Sequence, residues 1–285
     1  MRIWRLVFVL LVFVACRRDA GGGGGGAGVD ARPIRVVSLS PSTTETLFAL
    51  GAGAVVVGRS RYCNTPPEAR AVPVVGGYTD PNFEAIFAAT PTLVVGARGP
   101  AGPALASRLA ERGIATMFPE TETVSAIHES ILALGAAVGQ GERARALAGA
   151  SSERIAKTAA RIAGKRRPRV LLLFDLEPLV AAGPKSFPDE LLRLAGGDNV
   201  VTEGPPYPVL SLERVLALDP DIILDTTVAM TKAPTRIHKD TPGLSSLRAT
   251  REGRIVGIDD ESVLRPGPRV AEAVERFARA LHGEC

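Results

Sequence analysis

The chain is poor in the residues from which most metal and redox centres are built. Its 285 residues include three His and three Cys, too few for a clustered zinc or iron–sulfur site. Aromatics make up only 5%, as nine Phe, three Tyr and the single Trp4. Neither sign of charge dominates: thirty-four Lys and Arg against thirty Asp and Glu leave +4, which gives no footing for a nucleic-acid partner. The N-terminal apolar run, Leu6 to Ala15, is half of the roughly twenty residues a membrane-spanning helix needs. The Gly-x-Ser-x-Gly elbow, His-x-x-x-His, and Gly-x-Gly-x-x-Gly following a strand are also missing. Their absence disfavours the enzymes built on them and leaves an α/β enzyme with dispersed carboxylates as a remote alternative. What is present, 46% hydrophobic and 22% charged residues, is the balance of an ordinary globular protein with material for a core.

The first thirty residues read as an address and a tether. Arg2 and Arg5 precede the ten-residue apolar run, the build of a secretory signal peptide. The run ends in Phe13-Val14-Ala15-Cys16, which resembles a bacterial lipobox. Residues 1–15 are therefore expected to be a leader, and Cys16 to be acylated, anchoring the chain to a membrane. Loss of the leader would remove Trp4 and two Arg, lowering the net charge from +4 to about +2. Residues 16–31 contain Gly21–Gly26, a flexible spacer; no strand precedes it and no Gly-Lys-Ser/Thr follows, so it is not a phosphate loop. Export implies an oxidising compartment. Cys63 and Cys285 could pair there, although nothing in the sequence brings them together.

Beyond residue 30 short β-branched runs alternate with helical stretches, the pattern of parallel α/β units. Strands are expected at 34–39, 54–58, 92–96, 114–118, 169–174, 221–225 and 254–258. The two halves repeat. The block from Asn82 through Glu84 and Pro91 is matched by the block from Ser211 through Glu213 and Pro220, at an offset of 129 residues. A looser pair, Glu45-Thr-Leu47 with Gly51 and Glu190-Leu-Leu192 with Gly196, has an offset of 145. Between the halves Ala144, Ala148, Ile155, Ala159 and Ile162 recur at helical spacing. They predict a helix over 142–163, a rod of roughly 33 Å. The expected architecture is α/β: two Rossmann-like lobes with central parallel sheets, at 32–140 and 166–285, joined by one long helix in 141–165.

Arg35-Val-Val-Ser-Leu-Ser-Pro-Ser-Thr-Thr-Glu45, Val57-Gly-Arg-Ser-Arg-Tyr62, Pro66-Pro67, Val75-Gly-Gly-Tyr78 and Asn82-x-Glu84 resemble periplasmic binding proteins of ABC importers for cobalamin, haem and ferric siderophores. The resemblance extends over about residues 33–283. It implies two lobes on one long helix, a ligand in the cleft and little closure, with no intrinsic cofactor. It further implies a permease dimer with its ATPase subunits as partner, met by docking carboxylates at Glu84 and Glu213. Read from the residues alone, each Glu is an acid in a first helical turn, two residues after an Asn or Ser N-cap, where the helix dipole favours it.

Tyr62, Tyr78 and Tyr207 all fall in loops expected to face the cleft. An aromatic face with a polar tip suits a large amphipathic ring ligand. The three match aromatic positions of cobalamin-binding relatives, which often carry Trp there. Ser42 and Glu45 are spaced as a capping box, and Ser42 is a further candidate for the ligand's polar rim. Arg98 and Arg265 sit in Gly/Pro-rich loops after strands, where ligands lie in α/β folds. Cobalamin leads as the carried metal chelate; the alternatives are a ferric siderophore and haem, the latter with Tyr78 and His238 as iron ligands. His128 is read as a partly packed helix-edge residue, and Cys63, next to Tyr62, as either a ligand contact or a small loop residue.

Overall fold

The computed structural model describes residues 33–77, 79–99, 102–231, 237, 241–260 and 264–283. The leader, Cys16, the glycine tether, Tyr78, His238 and Cys285 lie outside the described residues. The first lobe contains β1 (Val36–Ser38), α1 (Pro41–Ala49), β2 (Val56–Arg59), α2 (Phe83–Ala88), β3 (Leu93–Val95), α3 (Gly102–Ala110) and β4 (Ala115–Met117). Then come α4 (Val124–Ala137) and α5 (Gly141–Ile162). The second lobe contains β5 (Arg169–Leu176), β6 (Leu179–Ala181), α6 (Phe187–Leu194), β7 (Asp198–Asn199), α7 (Leu212–Leu218) and β8 (Ile222–Asp225). It ends with α8 (Thr227–Thr231), α9 (Arg248–Arg251), β9 (Ile255–Gly257) and α10 (Val270–His282). Every strand expected from the sequence is present. β6 and β7, three and two residues long, were not expected; both are defined by their pairing with β5.

The two sheets share one topology. The first runs β2-β1-β3-β4, all parallel. In the second, β7, β5, β8 and β9 pair in the same order and the same sense, with β6 added antiparallel to the far half of β5. The sequence repeat reappears in the backbone. Gly51 and Gly196, 145 residues apart, take φ of 72° and 78° just past α1 and α6. Five residues separate donor and acceptor in both closing hydrogen bonds, Ala52 N–H to Leu47 O and Gly197 N–H to Leu192 O, each 2.8 Å. This is the Schellman stop, which uses a glycine free to adopt left-handed angles. Thr90 and Asp219, 129 residues apart, are both left-handed as well, at φ 46° and 36°, each immediately before a proline.

α5 is 22 residues long. It packs against α4 on one side and α10 on the other. Its buried residues are Ala144, Ala148, Ser151 and Thr158, with Leu147, Ile155 and Ile162 at the margin of the core. Ala159, expected in the buried stripe, is exposed. Thr158 takes its place because its hydroxyl can donate to Arg154 O one turn back, at 3.1 Å. α4 and α5 come so close at Gly135 that a Cβ there would lie 2.3 Å from that of Ala144. One hydrophobic cluster joins Val36, Leu47 and Val95 of the first lobe to Val170, Phe187 and Phe277 of the second. The lobes therefore share a core and are not merely tethered.

Candidate ligand cleft

The carboxyl ends of the parallel strands, where α/β proteins place ligands, are Ser38, Arg59, Val95 and Met117 in the first lobe. Those ends adjoin one another in the sheet register. After β1 the chain turns directly into α1. Ser40 is the N-cap, its Oγ accepting from Thr43 N–H at 3.4 Å, and Pro41 fills the first helical position. This corrects the capping box expected from Ser42 and Glu45. Proline, whose fixed φ and missing N–H suit the first position, moves the cap to the residue before it. Thr43 Oγ1 then meets both Ser40 Oγ (2.9 Å) and Ser38 Oγ (2.8 Å), and Thr44 Oγ1 donates to Ser38 Oγ at 2.8 Å. These hydroxyls are buried and satisfy one another. Ser42 lines a pocket of about 10 Å³ with Gly96 and Thr121 of its own lobe and Pro266 and Gly267 of the other. The pocket marks the seam of the two lobes.

Glu45, freed from capping, is only 6% exposed and crosses that seam. Its Oε1 accepts from Arg265 at 3.1 Å; its Oε2 accepts from Arg269 at 2.7 and 3.0 Å. Arg265 thus carries a carboxylate partner within the fold. Arg98 is paired with Glu120, from the loop after β4, both side chains largely solvated.

Tyr62 follows β2 and is 53% exposed. Its N–H donates to Ser60 Oγ (3.2 Å), and the Arg61 guanidinium lies 5.8 Å from its ring. Arg61 also grips Asp80 with two bonds of 2.9 and 2.8 Å. That bond holds the Asp80 carboxyl below its usual range. Cys63, next in the chain, is a buried free thiol 3.5 Å from Ser60 Oγ, a core role and not a cleft one.

Tyr207 is 46% exposed and stands edge-on to Phe174 of β5, ring centroids 5.8 Å apart. Its loop is laid along β6 by Gly183 N–H to Pro206 O (2.8 Å) and Ala181 N–H to Pro208 O (3.1 Å). Only a glycine fits beneath: a Cβ at Gly183 would be 2.2 Å from Pro205 O. The hydroxyl donates to Glu122 Oε2 at 3.3 Å. Burial of the phenol, then the neighbouring Glu122 charge, pushes its pKa up to about 12. The same Glu122 oxygen accepts from Phe187 N–H at 2.7 Å, at the N-terminus of α6, where a carboxylate is favoured. Glu122 therefore joins the first lobe to two elements of the second. Sequence reasoning missed it; its position in the loop after β4, at a strand's carboxyl end, was the available signal.

Glu84 and Glu213 are exposed in the first turns of α2 and α7. The caps are Asn82, accepting from Ala85 N–H (3.0 Å), and Ser211, accepting from Arg214 N–H (3.2 Å). Glu213 is held below its ordinary range by its own N–H and by Ser211. α2 is braced from outside by Arg108 and Arg112, whose guanidiniums lie 3.7 and 4.5 Å from the ring centres of Phe83 and Phe87. His128 donates to or accepts from Ser151 Oγ at 3.0 Å, linking α4 to α5, and burial lowers its pKa. Among the described residues no group of three or more His, Cys, Asp or Glu is placed to hold a metal ion. Among them, too, no helix is long and apolar enough to cross a membrane.

Residues 36–262 match the family model described as periplasmic binding protein. A vitamin B12-binding protein of Salmonella typhimurium is 36% identical over 191 residues, which is 67% of this chain and 71% of that one. A cobalamin-binding protein of Halobacterium salinarum is 28% identical over 89% of this chain and 71% of its own length. Among solved structures, the apo periplasmic haem-binding protein of Roseiflexus sp. RS-1 aligns with a TM-score of 0.76 at 29% identity, covering 88% of this chain and 98% of that one. The periplasmic vitamin B12-binding protein of Vibrio cholerae gives the same TM-score at 26% identity, covering 87% and 96%. With two lobes of one topology on a single connecting helix and a family match across most of its length, the chain belongs to the periplasmic binding proteins, substrate-binding partners of ABC importers and not enzymes.

Proposed function

We propose that this chain is an extracytoplasmic lipoprotein that binds cobalamin or a close corrinoid in the interlobe cleft and delivers it to an ABC permease dimer with its ATPase subunits. The observation that carries the ligand is the likeness to relatives named for vitamin B12 and cobalamin in both a bacterium and an archaeon. Tyr62 and Tyr207 support it, as half-exposed rings in loops at the cleft. A corrin is a flat macrocycle with an amide fringe, and an aromatic face with a hydroxyl tip meets both parts. Arg98 and Arg265 are weaker candidates than they were as isolated loop residues, because each has a carboxylate partner in the fold. Ser42 lines the seam beside the second lobe's Pro266-Gly267 turn. Delivery rests on Glu84 and Glu213, one exposed carboxylate per lobe at matched repeat positions. Anchoring rests on Cys16.

The second reading is haem, favoured by the Roseiflexus haem-binding structure, with Tyr78 and His238 as iron ligands. One titration separates the two. Calorimetry of the purified chain with cyanocobalamin, haemin and a ferric siderophore should give tight one-to-one binding with cyanocobalamin and a corrinoid absorption spectrum. Binding of haemin with a Soret band, and none of cyanocobalamin, would overturn the ligand assignment. Acylation is checked by mass spectrometry of the N-terminal peptide, and a Cys16→Ser chain that still fractionates with membranes would refute it.

A further inference from the structure

The seam between the lobes is edged by carboxylates as well as by the two arginines. In the loop after β4, Glu120 and Glu122 stand two residues apart. Glu120 is neutralised by Arg98. Across the seam, Glu45 occupies Arg269 and shares Arg265. Glu122 differs. It is exposed, and its contacts are neutral donors, Phe187 N–H at 2.7 Å and the Tyr207 hydroxyl at 3.3 Å, both on Oε2. No cation pairs with it among the described residues, and Oε1 has no donor among them. Two neutral hydrogen bonds hold the group in place without cancelling its charge.

A fixed anion beside a candidate ligand tyrosine discriminates between ring ligands by their fringe. A peripheral amide can donate an N–H to Oε1. A peripheral carboxylate brings a like charge beside it, which is unfavourable. We propose that Glu122 is a specificity-determining residue of the cleft, selecting a macrocycle fringed with neutral amides over one fringed with carboxylates. The inference rests on the corrinoid reading above and names the chemical feature that the site rewards.

Hydrolysis of single propionamides of cyanocobalamin yields isomeric monocarboxylic acids of the same shape, and these are the probes. Calorimetry on the full chain should show wild type binding at least one isomer about tenfold more weakly than cyanocobalamin itself, the size of one repelled or lost polar contact. In Glu122→Gln the amide oxygen can still accept from Phe187 N–H and Tyr207, but an NH2 replaces the Oε1 acceptor, so cyanocobalamin should bind about three- to tenfold more weakly. The penalty on that isomer should fall below about threefold in the same variant. Circular dichroism melts of the two proteins should differ by no more than roughly 4 °C, the scale of one helix-terminus charge. An isomer pattern identical in wild type and Glu122→Gln overturns the proposal alone. Failure of wild type to bind cyanocobalamin overturns the corrinoid reading and the proposal with it.

Discussion

Replacing Glu45 by Gln tests whether the lobes are locked by charge. The carboxylate is 6% exposed, and the side chains of Arg265 and Arg269 are 20% and 30% exposed. Gln has the same shape but offers one acceptor oxygen and turns an NH2 group toward the other guanidinium, donor facing donor. Truncating one partner of a fully buried pair typically costs about 3–5 kcal/mol, much of it the stranded charge. Here water still reaches both arginines and recovers part of that, so about 2–3 kcal/mol is the expectation. For a chain of this size each kcal/mol moves Tm by roughly 2–4 °C, giving a drop of roughly 4–12 °C. The assay is equilibrium urea denaturation followed by far-ultraviolet circular dichroism and by tyrosine fluorescence. The two probes must coincide for a single free energy to be defined. A cycle with Arg269→Gln should return a coupling of about 1 kcal/mol or more, as expected of groups in direct contact. A loss under about 0.5 kcal/mol with no coupling would refute the reasoning. The same lock predicts that Arg265→Ala lowers stability more than it lowers ligand affinity, and calorimetry on a stable fraction decides that ordering.

Charge reversal at both docking positions, Glu84→Lys with Glu213→Lys, should abolish importer-dependent uptake while leaving ligand affinity unchanged; unimpaired uptake refutes the docking role. Gly183→Ala forces a Cβ to within 2.2 Å of Pro205 O and 2.8 Å of Pro208 Cδ. It should cost about 1–3 kcal/mol in denaturation and lower ligand affinity by displacing the Tyr207 loop; a stability within experimental error of wild type argues that the loop yields freely. His128 has its folded pKa lowered by burial, so the folded state disfavours the charged ring. The associated stability is present above about pH 6.5, the unfolded value, and is lost as pH falls through the lower folded value. Denaturation at pH 7 and pH 5 should therefore show less acid loss in His128→Gln than in wild type, and equal losses would exclude His128 as a source.

How much of this was legible in the sequence divides along the distance over which each feature is determined. The helix stops at Gly51 and Gly196 and the left-handed turns at Thr90 and Asp219 are set within a few residues, so the repeat that names them also sets their angles. The seven expected strands and α5 follow from apolar patterns that a single segment carries. The capping register failed by two residues because the proline rule at Pro41 outweighs the Ser–Glu spacing, a competition still local and open to a closer reading. Glu122 and Glu45 were not legible in that way. Their partners lie 65, 85, 220 and 224 residues away, and nothing beside them in the chain points to those distances. Glu45 and Glu190 make the division plain, because they occupy the same place in the repeat. Glu190 closes on Arg193 of its own helix at 2.7 Å, while Glu45 reaches across the seam to two arginines of the other lobe. A repeat transmits backbone conformation, which one helical turn decides, and leaves each side chain's partner to the surface the opposite lobe presents.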